Sequence, residues 1–125
     1  MKDPDIIFTI LEEAIGLTGT SFIVRTSAAI VEMRGLLNVA LGKEWATIGE
    51  ESGSHVHLRM QSCQVLRYTP PNKTNAALEV RTIDGELVCR LSFRGTDPSQ
   101  MERYDAERAA HVHTRFARLA EEASR

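Results

Sequence analysis

Apolar positions recur at helical spacing only near the two ends of the chain; between those ends they alternate or run in short blocks. Near the start, Ile7, Leu11, Ala14 and Ile15 fall on one helical face. Asp3-Pro4 supplies an N-cap acceptor followed by proline at the first helical position, and Gly16 suits the stop. The pattern predicts a short amphipathic helix over 4–15. Near the other end, Val112, Phe116, Leu119 and Ala123 form a second apolar stripe, with Arg103, Glu107, Arg118, Glu121 and Glu122 on the solvated side. Asp97-Pro98 repeats the start signal, and Ser99 with Glu102 offers an alternative capping box.

Between the helices the pattern is that of strands. Phe22–Val24 and Ala29–Met33 open a β-rich stretch, and Trp45–Ile48 reads as a strand that stops at Gly49. Residues 35–42 are compatible with loop, strand or short helix. His55–Met60 and Cys63–Tyr68 read as an antiparallel pair, whereas Pro70-Pro71 through Asn75 lacks the donors of a central strand. The clearest hairpin turns at Asp84-Gly85, a two-residue sequence of type I′ preference. That loop pairs Thr82 with Leu87, Val80 with Cys89 and Leu78 with Leu91 on one face, and Glu79 with Arg90 on the other. One register thus yields an apolar face and an opposite-charge pair together. Helix, about six strands, helix, with short connections, predicts an α+β fold: an antiparallel sheet packed by terminal helices, without βαβ units.

A length of 125 residues fits a single domain over 1–125 with a core large enough to stand without metal or disulfide staples. A net charge of −2 gives no electrostatic footprint for nucleic acid or anionic lipid, so neither partner is expected. Cys63 and Cys89 form no CxxC pair, and each sits in an apolar run, as small core hydrophobes do. No stretch approaches the ~20 apolar residues of a membrane span, and no secretory leader pattern opens the chain. A cytoplasmic protein is the expectation.

The segment with most chemistry is Ser54–Met60. On a strand, Val56, Leu58 and Met60 point one way and His55, His57 and Arg59 the other. Two imidazoles and a guanidinium on one face suit an anionic, metal-bearing ligand, since imidazole ligates iron and arginine forks onto carboxylates. The same pattern also fits a plain solvated strand surface. His111 and His113 are two apart on a helix, roughly 200° around the axis, and cannot converge on one metal; they read as surface or helix-packing residues. Trp45 is the only tryptophan; it suits a core or dimer interface, or a wall against a flat aromatic ligand. No nucleophile elbow, P-loop, zinc-protease or dinucleotide motif is present.

The run Phe22–Glu32 (FIVRTSAAIVE), followed by His57–Cys63 (HLRMQSC), resembles the heme-utilisation proteins of the ChuX/HutX type, which are similar to one half of the larger HemS-type proteins. The hairpin from Ala77 to Gly95 and the helix after it fall at matching distances, so the resemblance spans Val24 to Leu119. It implies a large curved antiparallel sheet with flanking helices and a bacterial, cytoplasmic, commonly homodimeric heme binder. The family's strand histidine falls on His57, which the resemblance makes the iron ligand, with His55 as a second ligand or supporting partner. The family's other heme-associated histidine stands in a Val-His-Thr context; here it reads Val24-Arg25-Thr26. Arginine is no ordinary iron ligand, so Arg25, like Arg59, is assigned to a heme propionate, and Trp45 to the porphyrin wall. The leading expectation is a heme carrier or storage protein without catalytic residues. The rivals are a non-heme dimeric interaction protein on the same scaffold and a heme-degrading enzyme.

Overall fold

The computed structural model describes residues 4–35, 37–50, 52–61 and 64–123. A first helix, α1 (Pro4–Gly16), leads into β1 (Thr20–Arg25), β2 (Ile30–Met33), β3 (Asn38–Leu41), β4 (Trp45–Gly49), β5 (His55–Arg59), β6 (Gln64–Thr69), β7 (Ala77–Thr82) and β8 (Leu87–Phe93). The chain closes with α2 (Ala106–Val112), a π-helical segment over His113–Ala117 and α3 (Arg118–Ala123). All pairings are antiparallel, in a five-stranded sheet of order β2-β1-β8-β7-β6 and a three-stranded sheet of order β3-β4-β5.

The α+β class and the terminal helices are as expected. Among the described residues eight strands replace the six anticipated, because the ambiguous 35–42 stretch contributes β3 and the segment before Met33 divides into two strands. The expected pairing of His55–Met60 with the strand after it does not form. β5 pairs back onto β4, and the chain then crosses to the other sheet. Gln64 holds that corner: buried, it donates from Nε2 to the Arg59 carbonyl at 2.7 Å and accepts from the Gln61 amide at 3.0 Å. Cys63 lies outside the described residues.

The hairpin between β7 and β8 keeps the expected pairs Leu78–Leu91, Glu79–Arg90 and Val80–Cys89, but reaches them differently. The Gly85 amide donates to the Thr82 carbonyl and the Thr82 amide to Glu86, enclosing a three-residue loop in which Gly85 alone is left-handed (φ 90°). A type I′ turn would need Asp84 left-handed too, at a steric cost that glycine avoids. The longer loop moves Leu87 opposite Arg81 instead of Thr82, and a bulge at Val80/Arg81 restores the register beyond it.

One face of the five-stranded sheet, carrying Phe22, Leu78, Val80, Leu91 and Phe93, is buried against the helices. Phe93 stacks on Phe116 with ring centroids 4.8 Å apart. The opposite face buries Glu79, which accepts from Arg90 Nη1 at 2.7 Å and Arg81 Nε at 3.0 Å. The three-stranded sheet turns Ala46, Ile48 and Leu58 into the same hydrophobic cluster.

The second helix begins later than Asp97-Pro98 predicts. The Asp97 carboxylate is spent on the backbone and hydroxyl of Ser99 (2.9 and 2.7 Å), which makes a turn, and the capping box of Ser99 and Glu102 is not used. Asp105 is the N-cap and accepts from the Arg108 amide at 3.1 Å. The predicted stripe holds for Val112 and Phe116, which are buried, and Leu119, which is half-buried; the side chain of Ala123 is outside the described set. At the first helix, α1 runs through Gly16, and the left-handed glycine is Gly19 (φ 88°); Asp3 is outside the described residues.

Candidate functional site

The register of β4 on β5 sets Trp45 opposite Arg59, Thr47 opposite His57 and Gly49 opposite His55; β3 adds Ala40 opposite Thr47. Directly opposed residues share a face, so these side chains form the outer face of the three-stranded sheet while Ala46, Ile48 and Leu58 are buried beneath. The alternation read from Val56-His57-Leu58 is therefore realised: His55, His57 and Arg59 are exposed together. Gly49 is obligatory here, because a Cβ would collide with His55 and the Ser54 carbonyl.

An open hollow of about 860 Å³ lies on this face, lined by Ala40, Leu41, Gly42, Lys43, Glu44, Trp45, Thr47 and His57. Its lining is mainly apolar, with the imidazole of His57 at one side. His57 Nδ1 is 2.9 Å from Thr47 Oγ1. With the proton on Nδ1 and donated to Thr47, Nε2 presents a lone pair, the arrangement in which histidine ligates a metal. His55 meets His57 edge to face at 4.9 Å, and its own Nδ1 is 3.1 Å from the Gly53 carbonyl. That carbonyl only accepts, so Nδ1 of His55 carries the proton.

Trp45 is 46% exposed, a wall of the hollow and not a core residue. The Arg59 guanidinium lies 5.6 Å from the Trp45 ring centroid and 3.5 Å from the Glu44 carboxylate. Arg25 stands apart: it is exposed at the end of β1, opposite Ile30 in the five-stranded sheet, and is not among the residues lining the hollow. The fold thus brings His57, His55, Arg59 and Trp45 together and leaves Arg25 elsewhere. His111 and His113 are both exposed, and His113 Nδ1 bonds the Tyr68 hydroxyl at 3.0 Å.

Sequence reasoning missed Thr47, Ala40 and Leu41. Thr47 was within reach: pairing Trp45–Gly49 with His55–Arg59 across the turn at 50–54 places it opposite His57. Ala40 and Leu41 were not, because nothing in 35–42 fixes a strand.

Among the described residues no group of three or more His, Cys, Asp or Glu side chains could hold a metal ion. A metal that arrives inside a macrocycle needs only an axial ligand from the protein, which His57 can offer. Cys89 is fully buried in β8 of the other sheet and does not line the hollow; that burial pushes its thiol up to about 12. Among the described residues no helix is long and apolar enough to cross a membrane.

No protein-family model matches the chain, and no curated protein matches it. Among solved structures, the crystal structure of ChuX superposes with a TM-score of 0.68 over 94% of this chain and 74% of that one, at 20% identity. The chain has the ChuX fold. At that identity it is a divergent example of it, and the ChuX-like sheet and flanking helices agree with the architecture expected from the sequence.

Proposed function

We propose that the protein is a heme-binding carrier or storage protein of heme and iron utilisation, working in the cytoplasm as a homodimer. The observation that carries this reading is the exposed His57 imidazole, its Nδ1 held by Thr47, at the edge of a hollow walled by Trp45, Ala40 and Leu41. An apolar recess with one oriented imidazole suits a metalloporphyrin, whose other four ligands are its own. The ChuX-like fold and the His57–Cys63 resemblance support the same ligand. In this reading His57 binds iron, His55 supports or supplements it, Trp45 packs against the macrocycle, and Arg59 reaches a propionate. Arg25, in the other sheet, does not line this hollow and has no assigned contact with the ligand. Binding and release need no catalytic residue.

Hemin titration tests this. The wild type should show a saturable Soret shift at micromolar hemin, and His57→Ala should weaken it by more than about ten-fold, since losing a metal ligand should cost at least what losing a ligand's supporting partner does. Because His57 is exposed, the variant should keep its far-UV circular dichroism. An absent Soret shift, or equal titrations of the two proteins, would overturn the proposal.

A further inference from the structure

A second hollow, of about 960 Å³, has the opposite chemistry. The strand spacing puts Arg90 and Ser92 on one face of β8, and Arg94 continues that face just past its end. Arg103 joins them from the segment that leads into α2, Arg108 from the first turn of α2, and Arg34 from beyond β2. Five arginines line the hollow against two aspartates, Asp97 and Asp105. Both carboxylates are already engaged, by Ser99 and by the Arg108 amide. Two of the arginines are also satisfied, Arg34 by Glu32 and Arg90 by Glu79. Arg94, Arg103 and Arg108 have no carboxylate within ion-pair distance among the described residues.

Arg108 is held in place at some cost. Its Nε donates to the Arg94 carbonyl at 2.6 Å. Gly19 makes room for it, since a Cβ there would stand 2.7 Å from Nη2. Nη2 itself is buried with no hydrogen-bond partner, an expensive state for a charged donor. Burial, and after it the like charge of Arg94, holds this guanidinium below the usual arginine range, with the Asp105 carboxylate opposing them in part. An anion in the hollow would relieve that repulsion.

The lining also says which anion. Among the described residues it contains no aliphatic or aromatic side chain, so it offers no apolar wall of the kind a porphyrin needs. What it offers is guanidinium forks and hydroxyls, the donor set for tetrahedral oxyanions with many acceptor oxygens. Five guanidinium groups against two lining carboxylates leave an excess of positive charge, which suits a ligand carrying several negative ones.

We propose that this hollow binds a small, multiply charged phosphate compound, a di- or triphosphate, through Arg94, Arg103 and Arg108. The site is separate from the His57 hollow and does not depend on heme binding.

Calorimetric titration of the full chain with pyrophosphate at near-physiological salt is the test, with citrate as a carboxylate of comparable charge. Saturable one-site binding of pyrophosphate is expected, with citrate at least about ten-fold weaker. Arg103 is exposed and makes no ion pair among the described residues, so Arg103→Gln should fold normally and bind about ten-fold less tightly, the size of one lost charge-assisted contact. Arg94→Gln should act in the same direction, and His57→Ala should leave the isotherm unchanged. No saturable binding, or an isotherm indifferent to Arg103→Gln, would overturn the site. Citrate binding as tightly as pyrophosphate would overturn the assignment to phosphate.

Discussion

The two sheets of this protein are used differently. The five-stranded sheet is occupied on both faces: one packs on the helices through Phe22, Leu78, Leu91 and Phe93, and the other buries Ser21, Ala77 and Glu79. The three-stranded sheet buries the side chains of Ala46, Ile48 and Leu58 with the backbone of Gly49, and leaves His55, His57, Arg59 and Trp45 in the open. A face that stability does not need is free to carry chemistry, so the larger sheet supplies most of the buried core and the smaller one leaves open the face on which heme binding is proposed.

The largest test of that division is Phe116→Ala set against Trp45→Ala. Phe116 is 1% exposed and stacked on Phe93, so its truncation should cost about 4 kcal/mol of unfolding free energy. Trp45, half in solvent, should cost under about 1 kcal/mol although it is the bigger side chain. Urea denaturation measures both, and equal losses would dissolve the distinction between the sheets.

A smaller effect sharpens the comparison on the polar side of the same large sheet. Burial alone would raise the Glu79 pKa, but hydrogen bonds from Arg90 and Arg81, and their charges, outweigh it and hold the carboxyl below its usual value. The sign follows: a depressed folded pKa stabilises the protein fully above the ordinary value of 4.5, and that contribution is lost as pH falls through the folded pKa. Glu79→Ala should cost about 3 kcal/mol at neutral pH, since it strands two half-buried arginines. The gap between wild type and Glu79→Gln should narrow on acidification to about pH 3; a gap that widened would contradict the assigned direction.

The sequence reading succeeded where local pattern and tertiary demand agree. The Leu78–Leu91 and Glu79–Arg90 pairs were legible because one register satisfies both faces. The turn was not, because a longer loop and a compensating bulge reach the same pairing. Asp97-Pro98 misled because an aspartate ahead of proline makes a turn as readily as a cap. The crossing from β5 to β6 was illegible, because it depends on where the Gln64 amide finds its partners in three dimensions. At the candidate site, the His55/His57/Arg59 face could be read from alternation alone, and Trp45 joined it by strand register. Arg25 was placed by analogy with a family position, with no pattern of its own to tie it to the hollow, and the fold sets it in the other sheet.

The finest test concerns a single hydrogen bond on the open face, and it rests on the heme proposal. Thr47 Oγ1 is the partner of His57 Nδ1 at 2.9 Å, and a bond there fixes both the ring's rotation and the nitrogen left for a metal. Thr47→Val keeps the β-branched shape that a strand favours and removes only the hydroxyl. Stability should therefore change by less than about 0.5 kcal/mol, as for other half-exposed strand positions. Hemin affinity should fall about ten-fold, the low end of what lost supporting bonds cost a metal site. Thr47→Ser should restore most of it, because serine returns the acceptor without the methyl group. If serine and valine behaved alike in the hemin titration, Thr47 would be packing against the ligand and not orienting the imidazole. The open face would then act by shape alone.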